Sequence, residues 1–438
     1  MKDETRVKIY EKTLKATQGQ PRIIQIAKCF AAFLNEKEIN VSRNDILAGN
    51  AHYCNFTCSS PAGFRDEIIK YTEKAGEDDP RLYDFEAGLK VGLYQRGQAG
   101  HVIAGYDYVL EAGIDALIEV ARQHELVSEL AVASGIVCRA LSEYIKRYAD
   151  KARLLNLNEL ADICEKVAHK PPESFREAVQ LLWFLHEAII FEQLCGSMSL
   201  GRLDLLLIDF YQNDFKNGKI DRDEAYCIIE AFFKKLGGLR RGYQNVTLGG
   251  GDCDGNFIDN EITRICLEAS KNLMIDQPLL SMRYTPDMSD SLWEEVLSLM
   301  QTGIGFPAMF NDTIAIQSKT RSGISEADAQ NYGVVGCVEV SVPGKEYAHT
   351  EGLRVNWAKV LELMLNGGQC QFGGYNFGLS KNIKLDSVGS FDEFYSWYKS
   401  ELLHFLTLAM DVTNALDISY GNNWPTPFMS SLMRGCVP

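Results

Sequence analysis

Apolar positions recur every three to four residues over 23–33 and again over 108–121, which predicts amphipathic helices packed by one face. The first 160 or so residues read as mostly helical on this pattern. A second helical block is predicted from Ser174, where Ser174-Phe175-Arg176-Glu177 has the form of a capping box behind the Pro171-Pro172 stop. Phe175, Val179, Leu182 and His186 then form one buried stripe, and His186 reads as a core histidine. The same device at Ser291-Leu292-Trp293-Glu294 predicts a helix with Leu292, Val296 and Leu299 on one face. The last long helix is predicted over 391–416.

Short segments of strand character, bounded by Gly or Pro, lie between these helices at 242–248, 278–284, 307–310 and 334–342. Helix and strand therefore alternate from about residue 200 onward. That alternation predicts an α/β fold with a parallel sheet and crossover helices, a barrel or part of one. The Gly249-Gly250-Gly251-Asp252 tract reads as a strand-to-helix turn, because it lacks the glycine spacing of a phosphate loop.

Composition narrows the class. The chain has 438 residues, 46% hydrophobic and 24% charged, which excludes a disordered tail or a disulfide miniprotein. Lys+Arg 44 against Asp+Glu 59 gives a formal −15 with no basic cluster, so nucleic acid is not an expected partner. Met1-Lys2-Asp3-Glu4-Thr5-Arg6 has no apolar signal core, and no run reaches the roughly 18 apolar residues of a membrane span. A cytoplasmic protein is expected. The 12 cysteines include no CxxC pair. Cys54 and Cys58 stand at a helical i,i+4 spacing without a second ligand pair, so they read as reduced thiols and no metal is expected.

The segment Gly333-Val334-Val335-Gly336-Cys337-Val338-Glu339-Val340-Ser341-Val342-Pro343-Gly344-Lys345 is the most informative. In an extended backbone, Cys337 and Glu339 point to the same side and would face one substrate together. The competing reading is a buried strand that carries a thiol by chance, with Glu339 exposed. His349 lies twelve residues on and could serve a cysteine hydrolase, but no protease-type signature surrounds Cys337. A carboxylate neighbour repels a thiolate and favours the protonated thiol. Such a thiol can lose a hydrogen atom. A thiyl radical at Cys337 could then take a hydrogen atom from a substrate carbon while Glu339, as base, takes a hydroxyl proton.

Here the sequence resembles the glycyl radical enzymes, the pyruvate formate-lyase superfamily, in their dehydratase-like branch. The Gly-Cys-Val-Glu run with Pro343-Gly344-Lys345 is similar to the family's active-site finger loop. Gly100-His101-Val102, Lys170-Pro171-Pro172-Glu173-Ser174, Gly201-Arg202-Leu203-Asp204, Phe306-Pro307-Ala308-Met309-Phe310-Asn311 and Pro425-Thr426-Pro427-Phe428-Met429-Ser430 resemble it in the same order. The resemblance implies a helical N-terminal part over 1–160 and the first half of a ten-stranded α/β barrel over 161–438, with the cysteine on a central finger loop. It implies Cys337 as the thiyl site and Glu339 as the general base, with His101, Ser197, Tyr243 and Glu351 as substrate-binding residues and Asn245 beside them.

Gly336 before and Val338 after Cys337 disfavour formate C-acetyltransferase chemistry, which uses two adjacent cysteines. A single Cys with Glu two residues on resembles the diol, glycerol and hydroxyproline dehydratases and choline trimethylamine-lyase. Gly196-Ser197 replaces the His-Ser pair of the glycerol dehydratase branch, which weakens a glycerol or propanediol assignment. Blander readings stand beside these: His101 as a helix-start residue, Glu351 as the opening of a helix carrying Val355, Val360 and Leu363, Tyr243 and Asn245 as packing residues, and Lys345 as a solvated loop residue.

The family stores its radical on a glycine in a motif like Arg-Val-x-Gly-Tyr, and this sequence contains none. The resemblance therefore implies a domain truncated before the glycyl radical region, with no cofactor bound and an organic glycyl radical supplied from elsewhere by a S-adenosylmethionine/[4Fe-4S] activating enzyme. The expected function is the catalytic-cysteine portion of a lyase acting on a small hydroxylated molecule, inert alone. Expected partners are the substrate, the radical activating enzyme, a second chain carrying the radical half, and further copies of this chain. A formate C-acetyltransferase-like protein and a non-catalytic interaction subunit are the alternatives.

Overall fold

The computed structural model describes residues 3–49, 81–96, 100–193, 197–239, 243–252, 256–347, 353–381 and 384–433. Among them lie the strands β1 (Tyr94–Arg96), β2 (Val102–Ile103), β3 (Met198–Ser199), β4 (Gly201–Arg202), β5 (Asn245–Gly249), β6 (Leu279–Tyr284), β7 (Ala308–Asn311), β8 (Gly333–Val335), β9 (Glu339–Ser341) and β10 (Leu353–Val355). The chain forms two compact units, one of Met1–Cys58, Gly100–His349 and Thr426–Pro438, the other of Ser59–Ala99 and Thr350–Pro425. The units do not part at residue 160. A late segment returns to the first unit because the Glu192 carboxylate accepts the N–H groups of Phe428 and Met429, both at 2.8 Å.

In the first unit, β4, β5, β6 and β7 form a parallel sheet in that order. Helices Leu203–Lys216, Arg222–Gly237, Glu261–Leu273 and Asp290–Met300 make the crossovers, the α/β arrangement of a section of barrel wall. The predicted strands at 242–248, 278–284 and 307–310 correspond to β5, β6 and β7 with shifted ends. Along β5 and β6 the side chains alternate. Val246, Leu248, Leu280 and Met282 are apolar, Asn245, Thr247, Ser281 and Arg283 are polar, and all eight are buried. A parallel strand covered on both faces is normally apolar throughout. The polar face therefore needs hydrogen-bond partners other than bulk water.

Helix Phe175–Gln193 starts with the predicted capping box: Glu177 N–H donates to Ser174 Oγ and Ser174 N–H to Glu177 Oε2. The expected single stripe is too narrow, because residues Ala178 through Gln193 are buried all round, as in a helix at the centre of a core. Its polar members are paired. Gln180 exchanges two hydrogen bonds with the Ala48 backbone, at 2.7 and 3.1 Å. His186 donates from Nε2 to Gln244 Oε1 at 2.5 Å and accepts at Nδ1 from the Tyr106 hydroxyl at 2.8 Å. Burial pushes His186 down to about 4, so it is a neutral core histidine, as expected.

Two local expectations in this unit are corrected. The stretch 108–121 is two helices, Tyr106–Ala112 and Ile114–His124, broken at Gly113 with φ +80. A Cβ at Gly113 would lie 2.6 Å from Pro171 N, so the backbone approach there requires glycine. The helix predicted to open at Ser291 instead runs Asp290–Met300 with Ser289 as its N-cap, accepting from Leu292 N–H at 3.2 Å. Ser291 Oγ accepts from Arg264 instead; Leu292, Val296 and Leu299 are buried as predicted.

In the second unit, β1 pairs antiparallel with β10 from Tyr94↔Val355 to Arg96↔Leu353. Val355 thus belongs to a strand, and the following helix, Trp357–Leu365, is capped by Asn356. This overturns the reading of Val355, Val360 and Leu363 on one helix. The core gathers Phe85, Leu93, Tyr94, Leu363, Phe377 and Phe405, and the Tyr94 hydroxyl donates to Phe405 O at 2.9 Å. The last long helix runs Phe391–Asn423, past the predicted 416, until Pro425 forbids its continuation. Among the described residues no helix is long and apolar enough to cross a membrane, and no three His, Cys, Asp or Glu side chains cluster as metal ligands. Cys54 and Cys58 lie outside the described residues.

Candidate active site at the cysteine hairpin

Strands β8 and β9 pair antiparallel, Gly333↔Ser341, Val334↔Val340 and Val335↔Glu339, so residues 336–338 turn the chain back on itself. The single extended segment expected over 334–342 is therefore a hairpin, and the period-two argument for Cys337 and Glu339 does not apply. The two are brought together by another device. Glu339 Oε2 accepts the N–H of Cys337 and the N–H of Val338, both at 3.1 Å, closing the turn. Gly336 makes the turn possible with φ +56. A Cβ there would lie 2.7 Å from His101 Nε2 and 2.9 Å from Glu339 Oε2. The imidazole and the carboxylate thus flank the Gly336 backbone one residue before the thiol. Cys337 is half-buried and Val338 exposed at the tip.

His101 is buried and sits at φ +61, a backbone conformation uncommon for a residue with a Cβ. It precedes β2 rather than starting a helix. Its N–H donates to Ser197 O at 2.8 Å, and β2 then pairs parallel with β3, Val102↔Met198 and Ile103↔Ser199. Four expected residues, Cys337, Glu339, His101 and Ser197, are therefore assembled around the hairpin. Tyr243 is about half exposed, two residues before β5, and none of the described hydrogen bonds joins it to that group. Asn245 is buried instead, donating from Nδ2 to Ser281 Oγ at 2.9 Å and to Gly336 O at 3.4 Å. Glu351, His349 and Gly196 lie outside the described residues.

Both stems of the hairpin are anchored by charge. Arg283 pairs Asp312 through two bonds of 2.7 and 2.9 Å and donates to Tyr332 O and Gln330 O, just before β8. The Tyr332 hydroxyl donates to Asp312 at 2.7 Å, and its ring lies 4.0 Å below the guanidinium. Burial opposes ionisation of Asp312, but the paired Arg283 overcomes it and holds the carboxyl below its usual range. After β9, Glu346 accepts Val342 N–H at 2.7 Å and Lys319 at 2.8 Å. Lys345 is exposed, as expected of a loop residue, and forms an ion pair with Asp328. Beside this cluster Arg202 donates to the carbonyls of Gly249 and Gly251, both at 2.8 Å, and burial lowers it to about 10.

The residues that sequence reasoning missed are the buried polar ones that receive the hairpin: Ser199, Thr247, Ser281, Arg283 and Asp312. A signal was present in the alternation Asn245-Val246-Thr247-Leu248 and Ser281-Met282-Arg283. It would have placed a polar face inside the fold had the strands been known to be covered on both sides.

Residues 65–438 match the pyruvate formate lyase-like family. The (2S)-3-sulfopropanediol dehydratase of Klebsiella oxytoca is 28% identical over 419 residues, 85% of this chain and 51% of that protein. The trans-4-hydroxy-L-proline dehydratase of Clostridioides difficile is 26% identical over 436 residues, 89% of this chain and 55% of its own. The glycerol-bound form of the B12-independent glycerol dehydratase from Clostridium butyricum superposes with a TM-score of 0.86 at 25% identity, covering 99% of this chain and 64% of that one. The chain spans about half the length of these curated relatives. On the family match, the shared fold and a cysteine hairpin seated against a parallel sheet, the chain belongs to the pyruvate formate lyase-like family.

Proposed function

We propose that this chain is the cysteine-loop portion of a glycyl radical lyase of the dehydratase type, acting on a small hydroxylated molecule. The observation that carries the reading is the turn at 336–338, where Glu339 closes the loop on the Cys337 amide and His101 lies against Gly336. The named activities of similar proteins, dehydration of (2S)-3-sulfopropanediol and of trans-4-hydroxy-L-proline, support elimination next to a hydroxylated carbon. A glycyl radical, when supplied, would provide the hydrogen-atom acceptor that leaves Cys337 as a thiyl; every further step falls to this chain's own residues.

Cys337 then removes a hydrogen atom from a substrate carbon, forming S–H and breaking C–H. Glu339 uses one oxygen to hold the turn and has a second for the proton of the substrate hydroxyl. That proton transfer builds negative charge on the oxygen and assists breaking of the bond from the adjacent carbon to the leaving group, which departs with the electron pair and takes up the proton held by Glu339. The thiol returns its hydrogen atom to the product radical. The activating enzyme and the polypeptide bearing the Arg-Val-x-Gly-Tyr glycine are partners in this reading.

The test is anaerobic turnover. The chain, the activating enzyme and the glycine-bearing polypeptide are incubated with glycerol, (2S)-3-sulfopropanediol or trans-4-hydroxy-L-proline, and the eliminated product is measured. At least one should turn over, with activity lost in both Cys337→Ser and Glu339→Gln. Activity surviving Cys337→Ser, or a glycyl doublet in electron paramagnetic resonance from this chain alone, overturns the reading.

A further inference from the structure

The cysteine hairpin is a two-stranded sheet of its own; neither β8 nor β9 joins the ladder of β4 to β7. Its outer edge must still satisfy its buried backbone donors, because an orphaned N–H in the interior is costly. Two side chains meet that need. Thr247 Oγ1 on β5 accepts Val334 N–H at 2.8 Å. Ser199 Oγ on β3 accepts Gly336 N–H at 3.2 Å and also takes Asn245 N–H at 3.4 Å. Val334 and Gly336 are two residues apart, so these N–H groups lie on one edge of the hairpin's first strand. Both hydroxyl residues are fully buried.

The next peptide is held at both ends. Asn245 Nδ2 donates to the Gly336 carbonyl, and Glu339 accepts the Cys337 N–H of the same peptide unit. Side chains of the surrounding strands thus fix three successive points along the backbone that leads into the thiol. A backbone ladder would tolerate a shift by two residues with its bonds remade. Hydroxyls at fixed places on β3 and β5 accept only one register.

We infer that Thr247 and Ser199 are positioning residues that set the depth and register of the Cys337 hairpin through its outer-edge amides. The inference rests on the reading of Cys337 as the reacting thiol. Its experiment needs no turnover, so failure of the radical chemistry and failure of this inference are separable. The full chain is alkylated with N-ethylmaleimide under native conditions, and labelling of each cysteine is followed by peptide mass spectrometry. Cys138 and Cys266, both buried, report on the fold as a whole.

Thr247→Val keeps the shape and removes the acceptor, leaving the Val334 N–H unsatisfied. Cys337 labelling should rise by about tenfold, because modification tracks how often the hairpin leaves its seat. Thr247→Ser restores an acceptor and should return labelling to within about twofold of the wild-type rate, a rescue that loss of packing alone would not give. Ser199→Ala should raise Cys337 labelling in the same way. Cys138 and Cys266 should stay unlabelled throughout. Wild-type labelling in Thr247→Val, or equal labelling in Thr247→Ser and Thr247→Val, overturns the inference. Where Thr247→Val also exposes Cys138 and Cys266, Ser199→Ala decides alone: raised Cys337 labelling supports the inference and an unchanged rate overturns it.

Discussion

Arg283 and Asp312 hold the carboxyl ends of β6 and β7 through two short charged bonds, whereas Thr247 and Ser199 hold the cysteine hairpin through neutral bonds of 2.8 and 3.2 Å. Both regions are buried and polar, yet they respond differently to loss. Removing one member of a buried ion pair strands the other charge away from water, at about 3–5 kcal/mol. Removing a neutral acceptor strands one N–H, at about 1–3 kcal/mol. Charge fixes where the hairpin's stems leave the fold, and hydroxyls fix where its tip sits. The tip can therefore be altered with less risk to the fold than the stems.

The sharpest way to break this contrast is Asp312→Asn, which should lower stability at neutral pH by about 3–5 kcal/mol in a denaturant melt. Asp312 titrates below its usual range in the fold. Its contribution is therefore present above the ordinary carboxylate pKa and is lost as pH falls through the depressed value. Asp312→Asn should flatten that part of the acid unfolding curve. A variant as stable as wild type would show that the charged clamp does not carry the load assigned to it.

Glu192 sharpens the comparison from the opposite side. It accepts two backbone N–H groups, but burial dominates and raises it to about 8. The sign reverses: its contribution is complete below the unfolded value near 4.5, declines as pH rises, and is gone above about 8. Glu192→Gln should remove a decline on the order of a few kcal/mol between pH 5 and 8. A pH-independent wild-type stability across that window would contradict it.

Thr247→Val should cost about 1–3 kcal/mol, less than Asp312→Asn, in the same melt; an equal or larger loss would erase the contrast between the regions. The smallest effect concerns the misplaced cap. Ser289→Ala should cost about 1 kcal/mol, and Ser291→Ala a few tenths. The reverse order would restore the capping box at Ser291 that the sequence suggested.

Ser289 and Ser291 also show how legibility fails locally. Both fit a cap before an apolar run, and the choice depends on Arg264 and Asp259, which reach Ser291 and Ser289 from elsewhere in the fold. At the site, the pairing of Cys337 with Glu339 was legible and its cause was not. Alternation along a strand predicted what a closed turn performs. His101 and Ser197 entered through family resemblance, and the structure places them beside the hairpin by a hydrogen bond and a steric limit. Thr247 escaped because its alternation marks a buried polar face only once both faces of the strand are known to be covered, and Ser199, on a two-residue strand, has no such pattern.

The sequence by itself determined the alternation of helix and strand after residue 200 and the buried face of Leu292, Val296 and Leu299 on one crossover helix. Those features follow from periodicity and local chemistry, which adjacent residues encode. Only the tertiary structure decided that 334–342 is a hairpin, that its edge amides are met by hydroxyls from β3 and β5, and that residues 426–433 rejoin the first unit through Glu192. The last two depend on a donor meeting an acceptor far away in the chain, and the seat of the hairpin depends on those same distant partners. Burial makes such a meeting obligatory, and no local pattern names the partner.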